Sequence, residues 1–154
     1  MNAPVCWTLF ILNLALCLGC GNPAQQKAFN LHGEWTLQSL TVDGREVSGI
    51  KQAAITLVCD GARLHGSGAC NSYEARYESP QTGEIKVTQQ SWAEMACLDE
   101  AQRPIDDAYV QALWKARQVQ LNEDELVISD ATGNHRLVFI PTTGSASVGL
   151  EKTS

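Results

Sequence analysis

A chain of 154 residues with a formal net charge of −6 fits one domain, and its folded part, roughly 110 residues, is long enough for a single core. Every charged side chain lies at or after Lys27, and no Lys/Arg cluster occurs. That argues against nucleic acid as a partner, where phosphate neutralisation supplies most of the affinity, and against holding anionic lipid by charge alone.

In chain order, Val5 to Leu18 form an apolar run of 14 residues. A bilayer-spanning helix needs about 20 residues, whereas this length suits the apolar core of a secretory signal peptide. The run ends in Leu18-Gly19-Cys20. This resembles a bacterial lipobox, in which a small residue precedes a cysteine that receives a diacylglycerol and cleavage falls just before it. Cys17 stands where such boxes usually carry Leu. The resemblance implies that residues 1–19 are a lipoprotein signal peptide, that Cys20 is the lipidation site, and that the membrane is held through the lipid anchor. Each buried methylene contributes about 0.8 kcal/mol, so two or three acyl chains give stable anchoring. Gly21, rather than Asp, follows the cysteine, which by the same resemblance implies the outer membrane, with the domain facing the periplasm. Residues 20–29 read as a flexible tether.

The mature chain then alternates. Leu31 to Leu37 predicts a strand with Trp35 and Leu37 on one face, and Asp43-Gly44 a hairpin turn. Ile55, Leu57 and Cys59 mark the next strand, turned by Asp60-Gly61. Arg63 to His65, Asn71 to Tyr77 and Ile85 to Gln89 predict three more. From Pro104 to Arg117 the period becomes helical, with Ile105, Ala108, Tyr109, Ala112, Leu113 and Ala116 on one face. Asp106, Asp107, Gln111 and Lys115 fall on the other. Pro104 suits a first turn, and the early acids and late bases suit the helix dipole. Val119–Leu121, Leu126–Ile128 and Arg136–Ile140 complete the strands, with a turn at Gly133-Asn134 and a stop at Pro141. Residues 142–154 read as a disordered tail. The expected fold is mainly β (a β-rich α+β class): an antiparallel curved sheet or partly closed barrel with one amphipathic helix packed on it.

Several residues could carry chemistry. Cys59, Cys70 and Cys97 remain in the exported part, where disulfides persist, and three cysteines allow three single bridges. No C-x-x-C pair supports a redox or metal set. His65 and Ser67 would share a strand face, and Asp60 could complete a triad on paper. However, Gly66-Ser67-Gly68 is not a nucleophile elbow, and its glycines more simply permit a bulge or a close strand approach. His32, His65 and His135 show no metal-ligand spacing and are expected on the surface or half-buried. Trp35, Trp92 and Trp114 read as core or rim packing, and Glu123-Asp124-Glu125 as a solvated hairpin turn, without the ligand spacing of calcium loops.

Taken in order, the motifs resemble the META/HslJ-type (DUF306-like) family. The opening Leu-x-Gly-x-Trp-x-Leu is Leu31-His32-Gly33-Glu34-Trp35-Thr36-Leu37. The glycine-rich signature is Gly66-Ser67-Gly68-Ala69-Cys70-Asn71-Ser72-Tyr73, with Ala69 where the family usually has Gly. Met95-Ala96-Cys97 matches the element before the helix, and Leu126 to Gly133 with Leu137 to Phe139 the closing strands. The match runs over residues 30–141. It implies an antiparallel barrel or half-barrel with a helix, an envelope location, and heat-shock or stress association. Because both stand in family motifs, it also favours a Cys70–Cys97 bridge, contributing about 3 kcal/mol in the loop-entropy model. Cys59 is then a free thiol acting as a small hydrophobe.

The expected protein is a monomeric, non-enzymatic envelope lipoprotein without cofactor or metal. It would bind another envelope component, an unknown protein or ligand. One alternative is a carrier or sensor of a small apolar ligand in a barrel mouth lined by Ile55, Leu57, Trp35 and Tyr109; another is a hydrolase using His65 and Ser67.

Overall fold

The computed structural model describes residues 31–142 except 80, 81, 94 and 123. The signal segment, Cys20, the tether and residues 143–154 lie outside the described residues.

The first strand, β1 (Leu31–Val42), is longer than the alternation of its sequence suggests. Leu31, Trp35 and Leu37 face inward, and a bulge between Leu37 and Ser39 shifts the register so that Leu40 also faces inward. Asp43 (φ 50) and Gly44 (φ 74) make the expected turn into the short β2 (Arg45–Glu46). A single helical turn, α1 (Ile50–Ala53), follows and buries Ile50. Neither β2 nor α1 was expected, because pieces so short leave no periodicity to read.

Next come β3 (Thr56–Gly61), β4 (Arg63–Ser67), β5 (Ser72–Glu78) and β6 (Lys86–Trp92). Their alternation is clearest in β5, where Tyr73, Ala75 and Tyr77 point in and the residues between point out. The main helix, α2 (Arg103–Trp114), is preceded by a 3-10 turn at Glu100–Gln102, where the Asp99 carboxylate accepts the Ala101 N–H at 3.0 Å. Pro104 sits in the first turn, as expected. The helix ends at Trp114 rather than Arg117, because the chain must already be extended at β7 (Gln118–Leu121). A hairpin closed by the Asn122 N–H donating to Glu125 O leads to β8 (Leu126–Ser129), and β9 (Arg136–Pro141) ends the chain of strands. Pro141 is the last residue of β9 and pairs with Trp35. Thr142, assigned above to the tail, still bonds to β1: its N–H donates to Glu34 O at 2.9 Å.

All the strands form one antiparallel sheet in the order β6-β5-β4-β3-β1-β9-β8-β7, with β2 on β1. The sheet curls until its ends meet. The Ile85 N–H donates to Arg117 O at 3.1 Å and the Val119 N–H to Gly83 O at 2.9 Å, around an antiparallel bridge between Glu84 and Gln118. The expected curved, partly closed barrel with one main helix is therefore what forms.

α2 packs against β1, β6, β8 and β9 and buries Ile105, Tyr109, Ala112 and Leu113. With Trp35, Phe139 and the inward leucines they make the core. One expectation about α2 fails. Asp106 lies on the buried side, at 8% exposure, because it has a backbone partner to receive it.

Phe139 is fully buried, whereas its neighbour Ile140 is 37% exposed on the other face of β9. Phe139→Ala is expected to destabilise by about 3–5 kcal/mol, against less than about 1 kcal/mol for Ile140→Ala. Urea unfolding of both variants measures the contrast.

Candidate functional site

The motif residues converge on one place: the junction of β4, β5, the loop after β6, and the start of α2. Gly66 pairs with Tyr73, and a Cβ on Gly66 would fall on the Thr56 carbonyl oxygen. A Cβ on Gly68 would fall on Asp106 Oδ1. These are the close approaches that the glycines suggested in the sequence, and their partners are now identified. Asp106 reaches across from the first turn of α2 and accepts the Cys70 N–H at 3.1 Å. The Gly68 N–H donates to Asn71 O at 2.7 Å. Ala69, the family departure, is half-buried against the core and keeps a negative φ, so its methyl costs the turn nothing.

Cys70 and Cys97 are bridged, with their Cα atoms 5.1 Å apart, as the family motifs implied. Asn71 Oδ1 accepts the Met95 N–H at 3.2 Å, a second tie between the same two segments. Tyr73 donates its hydroxyl to Thr56 O at 2.9 Å. Its only proton is thus committed, so Tyr109, 2.6 Å away, donates to Tyr73. Trp92 stacks on Tyr73 at 4.8 Å and meets Tyr109 edge-on at 6.3 Å. Burial raises the Tyr73 phenol well above its ordinary range, and the neighbouring Tyr109 adds to this. Burial likewise raises Tyr109. The arrangement is a clasp that fixes the loop carrying Met95 and Leu98. Those two side chains point outward, at 66% and 105% exposure. The motif Met is therefore a surface residue.

The other motif positions have plainer roles. Gly33 takes φ 125 within β1, a conformation side chains rarely adopt, opposite Cys59. Trp35 is fully buried, and its Nε1 has no hydrogen-bond partner. Trp92 is rim packing as expected, and Trp114 is 49% exposed. Cys59 is a free thiol inside the core, pushed up to about 12 by burial.

The paper triad does not assemble. Asp60 pairs with Arg63 in register and lies 3.4 Å from its guanidinium, while His65 stands opposite Val58 and Glu74. Among the described residues no hydrogen bond joins His65 to Ser67 or Asp60, and Ser67 is held by its N–H donating to Thr56 Oγ1 at 3.0 Å. The proposed apolar mouth is also absent as drawn: Ile55, Leu57, Trp35 and Tyr109 are all fully buried core. Beside the clasp an open groove of about 520 Å³ runs over the sheet, lined by Arg63, His65, Glu74, Ser91 and Trp92 among others.

His32 is exposed and His65 half-buried, as expected, but His135 is buried at 4% exposure and needs correcting. The Asp130–His135 loop folds back over it. Asp130 organises this loop. Burial raises its carboxyl, but the Thr132 hydroxyl, the His135 N–H and ring, and the Thr132 backbone pull it down to about 2. Apart from Asp130, the ring's neighbours come from distant parts of the chain, so no spacing announces them. Among the described residues no His/Cys/Asp/Glu group is placed to hold a metal, and no helix is long and apolar enough to cross a membrane.

A curled antiparallel sheet with a helix clasped to its glycine-rich strand defines a small barrel-like domain class. The chain belongs to the META domain family, whose pattern matches residues 27–144. Among solved structures it is similar to an NMR structure of a protein from Burkholderia xenovorans, with 24% identity and a TM-score of 0.56, covering 72% of this chain and 82% of that one. A DUF4847-family protein from Bacteroides vulgatus has 9% identity and a TM-score of 0.50, covering 71% and 92%. Another NMR structure has 21% identity and a TM-score of 0.51, covering 73% and 91%. These likenesses concern the fold alone. No curated protein matches the chain.

Two tests follow from the clasp. Gly66→Ala has nowhere to put its methyl except against backbone, so it is expected to cost about 2 kcal/mol or more. Gly61→Ala, at φ 59 in open space, is expected to cost about 1 kcal/mol from backbone strain alone. The second test is alkaline pH. Cys59, Tyr73 and Tyr109 are all held neutral by the fold. Raised folded values mean that their contribution is complete below the ordinary thiol value of about 8.5. It is lost as pH rises through the tyrosine range near 10 towards the folded values. Stability in urea should therefore fall between about pH 9 and 11, and a flat profile would refute the burial of these groups.

Proposed function

We propose that the chain is a non-enzymatic, stress-associated envelope lipoprotein, anchored through Cys20 to the outer membrane and binding another envelope component from the periplasmic side. The observation that carries this reading is the Cys70–Cys97 disulfide, since such bridges persist in oxidising compartments and are rare in reducing ones. It agrees with an apolar run ending at Gly19-Cys20 and with a tether long enough to clear a membrane surface.

A binding role, rather than turnover, is supported by how the motif residues are used. Gly66, Gly68, Asn71 and Tyr73, together with Asp106 outside the motifs, all serve to hold backbone in place. What they hold in place is a loop presenting Met95 and Leu98 to solvent. Fixing exposed apolar side chains before contact lowers the ordering cost of association. The stress association rests on family membership.

The test is cell fractionation with intact mass measurement. Wild-type protein should be recovered from membranes as a chain starting at Cys20 with added acyl mass, and two thiols should become alkylatable only after reduction. Cys20→Ser should leave the membrane fraction while keeping the disulfide. A Cys20→Ser protein that stays on the membrane, or an unlipidated wild type, would sink the anchor. Three thiols in the mature domain reactive without reduction would sink the oxidised compartment.

A further inference from the structure

His135 stands at the start of β9 with its side chain 5% exposed, and three separate elements close on its ring. Asp43 comes from the β1–β2 turn, Asp130 from the end of β8, and Lys115 from the end of α2. These are the charged groups that face it. Ring Nε2 lies 2.9 Å from Lys115 Nζ and 3.3 Å from Asp43 Oδ1. Ring Nδ1 has no hydrogen-bond partner and lies 3.7 Å from Asp130 Oδ2. The backbone fixes this arrangement: the Gly44 N–H donates to Asn134 O at 2.9 Å, and the His135 N–H to Asp130 Oδ1 at 3.0 Å.

The two neighbours of Nε2 have opposite needs. An ammonium offers only donors, so Lys115 can bond Nε2 only when that nitrogen is bare. A carboxylate offers only acceptors, so Asp43 can bond it only when it carries a proton. We propose that His135 is a proton-operated latch: bare Nε2 holds Lys115 and the end of α2, whereas protonated Nε2 releases Lys115 and holds Asp43 of the β1–β2 turn. The proton comes from solvent, and Lys115 stays an ammonium in both states. A neutral imidazole carries one N–H, so a bare Nε2 leaves that hydrogen on Nδ1, 3.7 Å from Asp130 Oδ2, and only Nε2 changes.

The latch acts on a sensitive place. Lys115 lies just before β7, whose Gln118 makes the bridge to Glu84 that draws the sheet's ends together. Releasing Lys115 therefore removes a side-chain tie at the end of α2, while the Arg117 N–H stays on Ser129 O and the Ile85 N–H on Arg117 O. Asp43 is 73% exposed, so the protonated arrangement trades a sheltered partner for a solvent-screened one. Acidification should loosen the end of α2 while tightening the β1–β2 turn.

The test is nitrogen NMR of the full chain in detergent micelles, with the His135 signals identified by their loss in His135→Gln. At alkaline pH the ring should be the Nδ1–H form with bare Nε2. On acidification the backbone amides of Trp114 to Ala116 should move with the same midpoint as the ring. Lys115→Met and Asp43→Asn should move that midpoint in opposite directions, the first up and the second down. An Nε2–H ring at alkaline pH overturns the latch, as does a midpoint that neither variant moves. Should Lys115→Met fail to fold, Lys115→Gln and the wild-type ring form decide the matter.

Discussion

Asp106 makes the contact on which the arrangement of this domain turns. Its side chain leaves the first turn of α2, crosses to the glycine-rich segment, and takes the Cys70 N–H. Gly68 must be glycine because that carboxylate occupies the space of a Cβ. The disulfide, the Asn71–Met95 bond and the Tyr109–Tyr73 bond then join the same segments at neighbouring points. Each tie is ordinary in strength, but together they set where α2 lies on the sheet. With α2 placed, Tyr109, Ala112 and Leu113 have a core to enter.

The sheet supplies the other half of the design. A long open antiparallel sheet would expose two edges able to pair with other chains. Here β6 and β7 approach each other until the segments around Glu84 and Gln118 bond. Curling on this scale needs local breaks in the pleat, and two bulges supply them: one in β1 after Leu37, one in β6 at Thr88, opposite the step from Arg76 to Tyr77 in β5. The β1 bulge also lets one strand serve two neighbours, with Trp35 and Leu37 inward before it and Leu40 inward after it.

Much of this was legible in the residues, and the failures have physical causes. Alternation located β3 and β5, because one face of each is core, whereas β8 and β9 show as short apolar runs buried at successive positions. It lost the second half of β1, since a bulge inverts the pattern without leaving a mark in composition. Helical period found α2 but put Asp106 on the solvent side, because periodicity assigns a charge outward unless a partner is known, and the partner is a backbone N–H 36 positions away. The glycine-rich motif announced a close approach without saying to what. Of the groups around His135 only Asp130 is near it in sequence; Asp43 and Lys115 are far from it, and only the fold gathers them. The family motifs fared best, since the pairing of Cys70 with Cys97 could be read from them and not from spacing.

Cys59 gives the molecule a built-in clock. Its sulfur lies in the core opposite Gly33, at 3% exposure, and burial keeps it a thiol. An alkylating reagent can reach it only after the layer over β3 parts. The rate at which this cysteine is labelled, with the Cys70–Cys97 bridge intact, therefore counts openings of the folded barrel. An oxidant would meet the same gate: Cys59 is chemically silent for as long as the sheet stays shut, and becomes a target each time it opens.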